Sequence, residues 1–310
     1  MKNFESINGL KKHFIGFKGL TLDKIYQNVQ AEYPHIVLNT NKGIVGQVLE
    51  STTGRAPNSN PNPDIGELGV ELKVLPVRRS GHELKPKERS KIKSINYNEI
   101  VNETWASSAI RAKIKLILFL VYEHPTGFSY IDWKGFVFKN ALFFNLQSEN
   151  ESVIENDWRK IKEVVASNTA HLLSEGDGDI MGASTSGSGR LKVYNGSYQA
   201  KERSYSFKHS YMKFFYKEKT KARFFYKLKK TNNISTESYV VNRLNEELGE
   251  KVLLDVVKSH GLNFNPSSKS GFKNLINSVL KVPKNSRLYD LAIKNITIKT
   301  IPVNNKNKPW

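Results

Sequence analysis

Apolar positions along the chain change period several times, and each change marks an element. From Leu10 to Gln30, Leu10, Phe14 and Phe17 and then Leu22, Ile25 and Val29 recur at three- to four-residue intervals. That spacing predicts two short helices, with Thr21 capping the second. A third helix is expected from Lys42 to Thr53, because Ile44, Val45, Val48 and Leu49 form one apolar stripe and Gly54 supplies a stop. The run RAPNSNPNPD then breaks the periodicity with Pro and Asn. Beyond it GVELKVLPV, RAKIKLILFLVYE and GFSYIDWKGFVFKNALFFNLQ are rich in β-branched and aromatic residues and predict sheet strands. Helical spacing returns from Ser152 to Leu173 through Ile154, Trp158, Ile161, Val165 and Leu172. The segment GDGDIMGASTSGSGR predicts a flexible loop, and SYSFKHSYMKFFYK a strand entering a helix. From Ser235 the pattern is helical, closing with a short strand, ITIKTIPV.

Composition adds a partner class. The 310 residues suffice for one large domain or two smaller ones. Forty-eight Lys and Arg against 29 Asp and Glu give a net charge of +19, which favours a polyanion: nucleic acid first, an anionic membrane surface second. No apolar run is long enough to cross a bilayer and no signal-peptide layout precedes the first helix, so a soluble, cytoplasmic protein of a bacterial or phage setting, with no membrane partner, is expected. The absence of Cys excludes disulfides, thiol nucleophiles and thiolate zinc sites, and the seven His are scattered without metal-binding spacing. No small-molecule cofactor is expected.

The chemistry concentrates in PDIGELGVELKVLP, Pro63 to Pro76. In a strand, Val70, Leu72 and Val74 point to the core and Glu71 and Lys73 share the opposite face. A bend at Gly66 and Gly69 can bring Asp64 beside Glu71. Two converging carboxylates raise each other's pKa unless a cation neutralises them, and Mg²⁺ suits such a pair together with waters and phosphate oxygens. Such an ion polarises a phosphodiester and acidifies a water, while Lys73 orients that water and offsets transition-state charge. The alternative is that Asp64 caps a turn and Glu71 and Lys73 form a solvated pair on an edge strand, because Asp, a spacer and Glu-x-Lys is a weak pattern alone.

The surrounding residues carry a family likeness. NKGIVGQVLESTTG followed by PNPDIGELGVELKVLPV resembles the signature of the MutH-type DNA endonucleases (the MutH/Sau group), a branch of the PD-(D/E)xK nuclease fold that includes mismatch-repair nicking enzymes and GATC-cutting type II restriction enzymes. GLTLDKI, NETWASSAIRAK, NDWRKI and YSFKHSYMKFF are similar to further family segments in the same order, so the likeness covers most of residues 10 to 217. It implies an α/β fold: a PD-(D/E)xK restriction-endonuclease-like core with a mixed central sheet flanked by helices, followed by a mostly helical C-terminal segment. It also implies that Asp64, Glu71 and Glu50 bind the metal, that Lys73 assists the attacking water and that Lys113 is a further active-site lysine. Lys42 is either a phosphate contact or a solvated residue at the start of its helix. The family's base-reading loop falls at Gly182 to Arg190, with Ser184, Thr185, Ser186, Arg190 and the nearby Lys208 as candidate DNA contacts; the competing reading is a surface linker. Glu67 is expected to be a surface residue.

The tail repeats the head. Aligning GVELKVLPV with NITIKTIPV pairs Lys73 with Lys299, Pro76 with Pro302 and Asp64 with Asp290, whereas Glu71 becomes Thr297 and Glu50 faces Asn277. The expected organisation is a catalytic domain at 1–217, a basic linker at 218–234 and a partial, degenerate second copy at 235–310, with the chain a shortened piece of a longer enzyme. A coincidental strand in a helical tail is the alternative. The run from Lys217 to Lys230, with seven positive charges, either tracks phosphates or is a solvated face. Together these readings predict a Mg²⁺-dependent type II restriction endonuclease that cuts double-stranded DNA at GATC and leaves a 5′-phosphate, with association of copies on DNA compatible. The alternatives are a nickase at hemimethylated GATC and a non-catalytic DNA-binding subunit.

Overall fold

The strand alternation around Val70 and the long apolar run after Ile114 become neighbouring parallel strands. In the computed structural model, which describes residues 1–58, 62–148, 151–186, 189–220, 225–226, 234–249, 251–262, 264, 271–283, 287–293, 296 and 298–299, contacts divide the chain into Met1–Tyr216 and Lys217–Trp310. The first unit opens with helices α1 (Ile7–Ile15), α2 (Leu22–Glu32) and α3 (Ile44–Ser51). The Thr21 side chain accepts the Lys24 N–H and so caps α2. Gly54, with φ at +74°, ends the turn that follows α3. Then come strands β1 (Glu71–Ser80), β2 (Glu83–Pro86) and β3 (Ser90–Ser94), short helices α4 (Tyr97–Ile100) and α5 (Ala109–Ile114), and strands β4 (Leu116–Glu123) and β5 (Val137–Asn145). Helix α6 (Glu151–Ala166), strands β6 (Met181–Thr185), β7 (Leu191–Tyr194), β8 (Tyr198–Lys201) and β9 (Arg203–Phe207), and helix α7 (His209–Thr220) complete the order.

The main sheet runs β2-β1-β4-β5 and is mixed: β1 and β4 are parallel, and the outer pairings are antiparallel. Leu118, Leu120 and Tyr122 from β4 meet Leu10, Phe14, Leu22 and Ile25 from α1 and α2, together with Val45, Val48 and Leu49 from α3, in one buried cluster. Burying that many large side chains, each worth about 1.5–3 kcal/mol, anchors α3 against the sheet. The fold is therefore a mixed α/β core flanked by helices. A second sheet, β3-β9-β6, and the hairpin β7-β8 sit beside it.

Several expectations are corrected. The first residues of RAKIKLILFLVYE form α5, not strand, because Ser108 caps Ala109–Ile114 by accepting the Arg111 N–H. The start of GFSYIDWKGF is a 3-10 turn, Tyr130–Gly135, closed by a capping box between Ser129 and Asp132. Leu172 is exposed beyond the end of α6. The segment read as a flexible Gly/Ser loop contains β6, whose residues pair with β9 from Met181↔Phe207 to Thr185↔Arg203. Periodicity did not reveal β6 because its inward positions are Gly, Ala and Ser, and small side chains suit the closely covered sheet. A Cβ on Gly182 would lie 2.3 Å from the Glu175 carbonyl oxygen.

Within the second unit lie β10 (Phe225–Tyr226), α8 (Thr236–Leu248), α9 (Leu253–Ser259), α10 (Gly271–Val279), β11 (Arg287–Leu288) and α11 (Tyr289–Ile293). Two small apolar clusters hold the described part together, one around Val240, Leu280 and Leu291 and one around Val256, Leu275 and Val279. Asp290, the alignment partner of Asp64, lies in α11 and accepts the Thr236 hydroxyl at 2.7 Å. Most of the expected strand ITIKTIPV, including Thr297 and Pro302, and most of the basic run up to Lys230 lie outside the described residues.

One buried carboxylate fixes where β6 begins. Asp157 on α6 accepts the backbone N–H groups of Asp179, Ile180 and Met181 at 2.8, 2.8 and 2.9 Å. Asp157→Ala would strand three buried donors, at a cost of about 3–5 kcal/mol after partial hydration. Asp157→Asn should lose about half as much, because the amide oxygen can keep two of the three. Hydrogen exchange at the 179–181 amides, alongside a urea melt, measures this; unchanged protection in the Ala variant would contradict it.

Candidate active site

Three backbone features bring the acidic residues together. Gly69 adopts φ +62°, which lets the chain fold back after the 3-10 turn Gly66–Leu68. Ile65 and Val70 then exchange backbone hydrogen bonds at 3.0 and 3.1 Å, and their neighbours Asp64 and Glu71 come opposite one another. Over Glu71–Pro76, β1 is paired in the sheet with β4 alone, since β2 begins its pairing at Val77. The Asp64 carboxylate takes the N–H of Leu72 at 2.7 Å. Glu50 arrives from the last turn of α3, which the core pins beside β1.

The environment of Glu71 differs from the solvated edge-strand pair considered above. It is 2% exposed and lies between two ammonium groups: Lys73 Nζ is 2.7 Å from Oε1 and Lys113 Nζ is 2.6 Å from Oε2. A buried carboxylate needs such partners, because an unpaired one would cost several kcal/mol. Lys113 also donates to the Asn62 carbonyl at 3.3 Å, tying α5 to the loop that leads to Asp64. The direction of Lys113 depends on the NETWASSAIRAK segment. Trp105 Nε1 and Arg111 Nε both donate to Glu151 Oε1, at 3.0 and 2.8 Å, and the Trp105 and Trp158 rings lie 5.7 Å apart, so α5 is held against α6.

The remaining carboxylates are under electrostatic stress. Burial, then the charges of Asp64 and Glu71, push Glu50 up to about 7. Burial and the Glu71 charge also raise Asp64, against the opposing Leu72 N–H. Glu50 Oε1 is buried without a hydrogen-bond partner. An orphaned carboxylate oxygen flanked by two like charges is what a hard divalent cation relieves, so the donor set of Glu50, Asp64 and Glu71 fits one chemically. Among the described residues, however, no three His, Cys, Asp or Glu side chains are arranged so that they could hold a metal ion as they stand. The oxygens of Glu71 are held by lysines, and those lysines must yield for a cation to bind.

The other predicted positions are dispersed. Lys42 is exposed just ahead of α3. Ser184, a candidate base contact, is buried, and its hydroxyl meets that of Ser206 at 2.6 Å. Ser186 is also buried and accepts from Lys91 at 2.7 Å. Thr185 is exposed and receives the Arg203 guanidinium at 3.1 Å. Lys208 donates to the Gly178 carbonyl at 2.6 Å and so ties the segment ahead of β6 to the end of β9. Arg190 is exposed, whereas Gly187 and Ser188 of the expected loop lie outside the described residues. Glu67 is not idle: it receives Arg55 at 2.6 Å and the Phe4 N–H at 3.3 Å, clasping the N-terminal segment to the turn that carries Asp64. Nothing in the local pattern signalled that clasp, since its partners lie 12 and 63 residues away.

Comparison with known proteins shows what the sequence around this site resembles. The family model described as "DNA mismatch repair enzyme MutH" matches residues 53–157, a span that contains Asp64, Glu71, Lys73 and Lys113. The type II restriction enzyme Sau3AI of Staphylococcus aureus is 29% identical over 181 residues, 56% of this chain and 36% of that protein. The DNA mismatch repair protein MutH of Actinobacillus pleuropneumoniae serotype 3 is 26% identical over 147 residues, 47% of this chain and 62% of that protein. The MutH of Vibrio vulnificus YJ016 is 29% identical over the same length and shares. The chain thus spans about a third of the restriction enzyme and under two thirds of these repair proteins, and its aligned part is MutH-like.

The raised Glu50 has a thermodynamic consequence. Because its folded value lies above its unfolded one, its contribution to stability is full below about 4.5 and is lost as pH rises through about 7. The shift would be worth about 3 kcal/mol for a fully desolvated group, and screening of this partly exposed one reduces it to about 1 kcal/mol. Glu50→Gln should therefore stabilise the metal-free protein by about 1 kcal/mol at pH 8 and leave it unchanged at pH 4. Denaturant melts at the two pH values decide; equal effects at both would contradict the crowding of carboxylates.

Proposed function

We propose that this chain is a Mg²⁺-dependent endonuclease of type II restriction character, cutting double-stranded DNA at GATC and leaving a 5′-phosphate. The observation that carries the reading is the buried Glu71 carboxylate held between the ammonium groups of Lys73 and Lys113, with Glu50 and Asp64 crowded beside it. Further support comes from the MutH-like span and from the net charge of +19. The choice of GATC rests on the MutH/Sau resemblance.

Glu50, Asp64 and Glu71 would hold the divalent ion, which when bound supplies Lewis-acid polarisation of the phosphate and acidifies a water. The side chains of the protein do the rest. Lys73 orients the attacking water opposite the leaving oxygen, and Lys113 offsets the negative charge that develops on phosphorus-bound oxygens. A bond forms between the water oxygen and phosphorus, the bond to the 3′ oxygen breaks, and that oxygen takes up a proton. A second reading, a nickase at hemimethylated GATC, is favoured by the match to a family described by its repair enzyme.

Incubating unmethylated, hemimethylated and fully methylated plasmid with the protein and Mg²⁺ separates the two. Double-strand cutting of unmethylated DNA is expected; nicking confined to the hemimethylated form would select the repair role. Glu71→Gln and Lys73→Ala should each lower the cleavage rate by at least about 10²-fold while duplex affinity stays within a few-fold. Cleavage at the parent rate in either variant would contradict the assignment.

A further inference from the structure

Beyond the carboxylate cluster, three lysines line a groove of about 580 Å³ between the segment β3–α4 and β7. Lys93 enters it from β3, Lys113 from α5 and Lys192 from β7, against one carboxylate, that of Glu99. Because Lys113 also reaches Glu71 at 2.6 Å, this side chain joins the groove to the candidate catalytic cluster.

The floor of the groove is fixed. Tyr97 and Tyr194 are buried with ring centroids 5.3 Å apart, and Tyr97 Oη donates to the Lys201 carbonyl at 2.6 Å. The two asparagines of the groove are occupied with backbone: Asn96 accepts the Asn98 N–H at 3.1 Å, and Asn98 accepts the Asn195 N–H at 3.0 Å. Neither carbonyl is arranged to read a base edge. Lys192 is 3.3 Å from Glu202, with side chains 49% and 23% exposed, and a pair so exposed holds its lysine only weakly. Lys93 makes no ion pair among the described residues. Ammonium groups on rigid strands, with the amides beside them turned to backbone, suit a chain of phosphates and not a specific sequence.

We infer that this groove carries the DNA strand on one side of the scissile phosphate, with Lys93 and Lys192 contacting its backbone phosphates as positioning residues. The inference rests on the nuclease reading for the identity of the polyanion, but its test has a separate readout. Binding of a labelled duplex, followed by fluorescence anisotropy over a range of KCl concentrations, gives the slope of log affinity against log salt. Lys93→Ala and Lys192→Ala should each reduce the magnitude of that slope by about 0.9, and the double variant by about twice that. Lys→Arg at either position should restore it. For cleavage, KM should rise roughly fivefold with kcat within about twofold and the site preference unchanged. Thermal melts superimposable on the parent establish that the variants are folded.

Slopes equal to the parent's in both Ala variants would overturn the inference while leaving a cleaving parent, and so the nuclease reading, intact. A fall in kcat at constant KM would also overturn it, since the lysines would then act in the chemistry. If the parent binds duplex with the predicted lysine-dependent slopes and yet cuts nothing, the groove stands and the nuclease reading fails.

Discussion

A carboxylate removed from water must be neutralised, and in this protein the neutralisation of Glu71 by Lys73 and Lys113 organises everything around it. Lys73 comes from two residues along the same strand, but Lys113 lies 42 positions away and reaches Glu71 only because β4 runs parallel to β1 and α5 immediately precedes β4. The connection from β1 to β4 must therefore return to the end of the sheet where β1 began, which the intervening β2, β3, α4 and α5 accomplish. Asp64 is bound to the arrangement by a different device, the exchange of backbone bonds between Ile65 and Val70 around Gly69. Remove either lysine and one oxygen of the buried carboxylate loses its ionic partner; remove the glycine turn and Asp64 moves away from the strand. Stability and chemistry thus depend on the same few contacts.

The same constraint accounts for the stress on Glu50 and Asp64. Each would be an ordinary carboxylate at the surface, and each is raised because burial and the neighbouring carboxylates together outweigh the cations that pull it down. Repulsion of this kind is relieved by any positive charge placed among the carboxylates, and it grows as they ionise with rising pH. Arg55 lowers Glu50 somewhat while gripping Glu67, so the clasp to the N-terminal segment and the acidic cluster share one cation.

What could be read from the residues follows physical range. Helices α1, α2, α3 and α6 and strands β1, β4 and β5 were legible because their apolar periods are strong and local, and Asp64, Glu71 and Lys73 because they fall within ten residues of each other. Lys113 was placed on a strand by its apolar neighbours, whereas the Ser108 cap makes it helical; family likeness, not periodicity, singled it out. The second sheet was hidden because β6 is built from Gly, Ala and Ser, whose burial leaves no hydrophobic signature. For the same reason Ser184 looked like a loop hydroxyl and is in fact a sheet residue paired with Ser206. The clasp of Glu67 and the lysines of the β3–β7 groove depend on contacts across 12 to about 100 positions, which no local pattern reports.

If Glu50, Asp64 and Glu71 hold one divalent ion with Lys73 alongside, their oxygens must converge on it. Crystals of the protein soaked in Mn²⁺ and measured at the manganese absorption edge test it directly. A single strong anomalous peak is expected within about 2.0–2.3 Å of oxygens from these three side chains. Carboxylates still held by Lys73 and Lys113, with no anomalous density among them at saturating Mn²⁺, would contradict it.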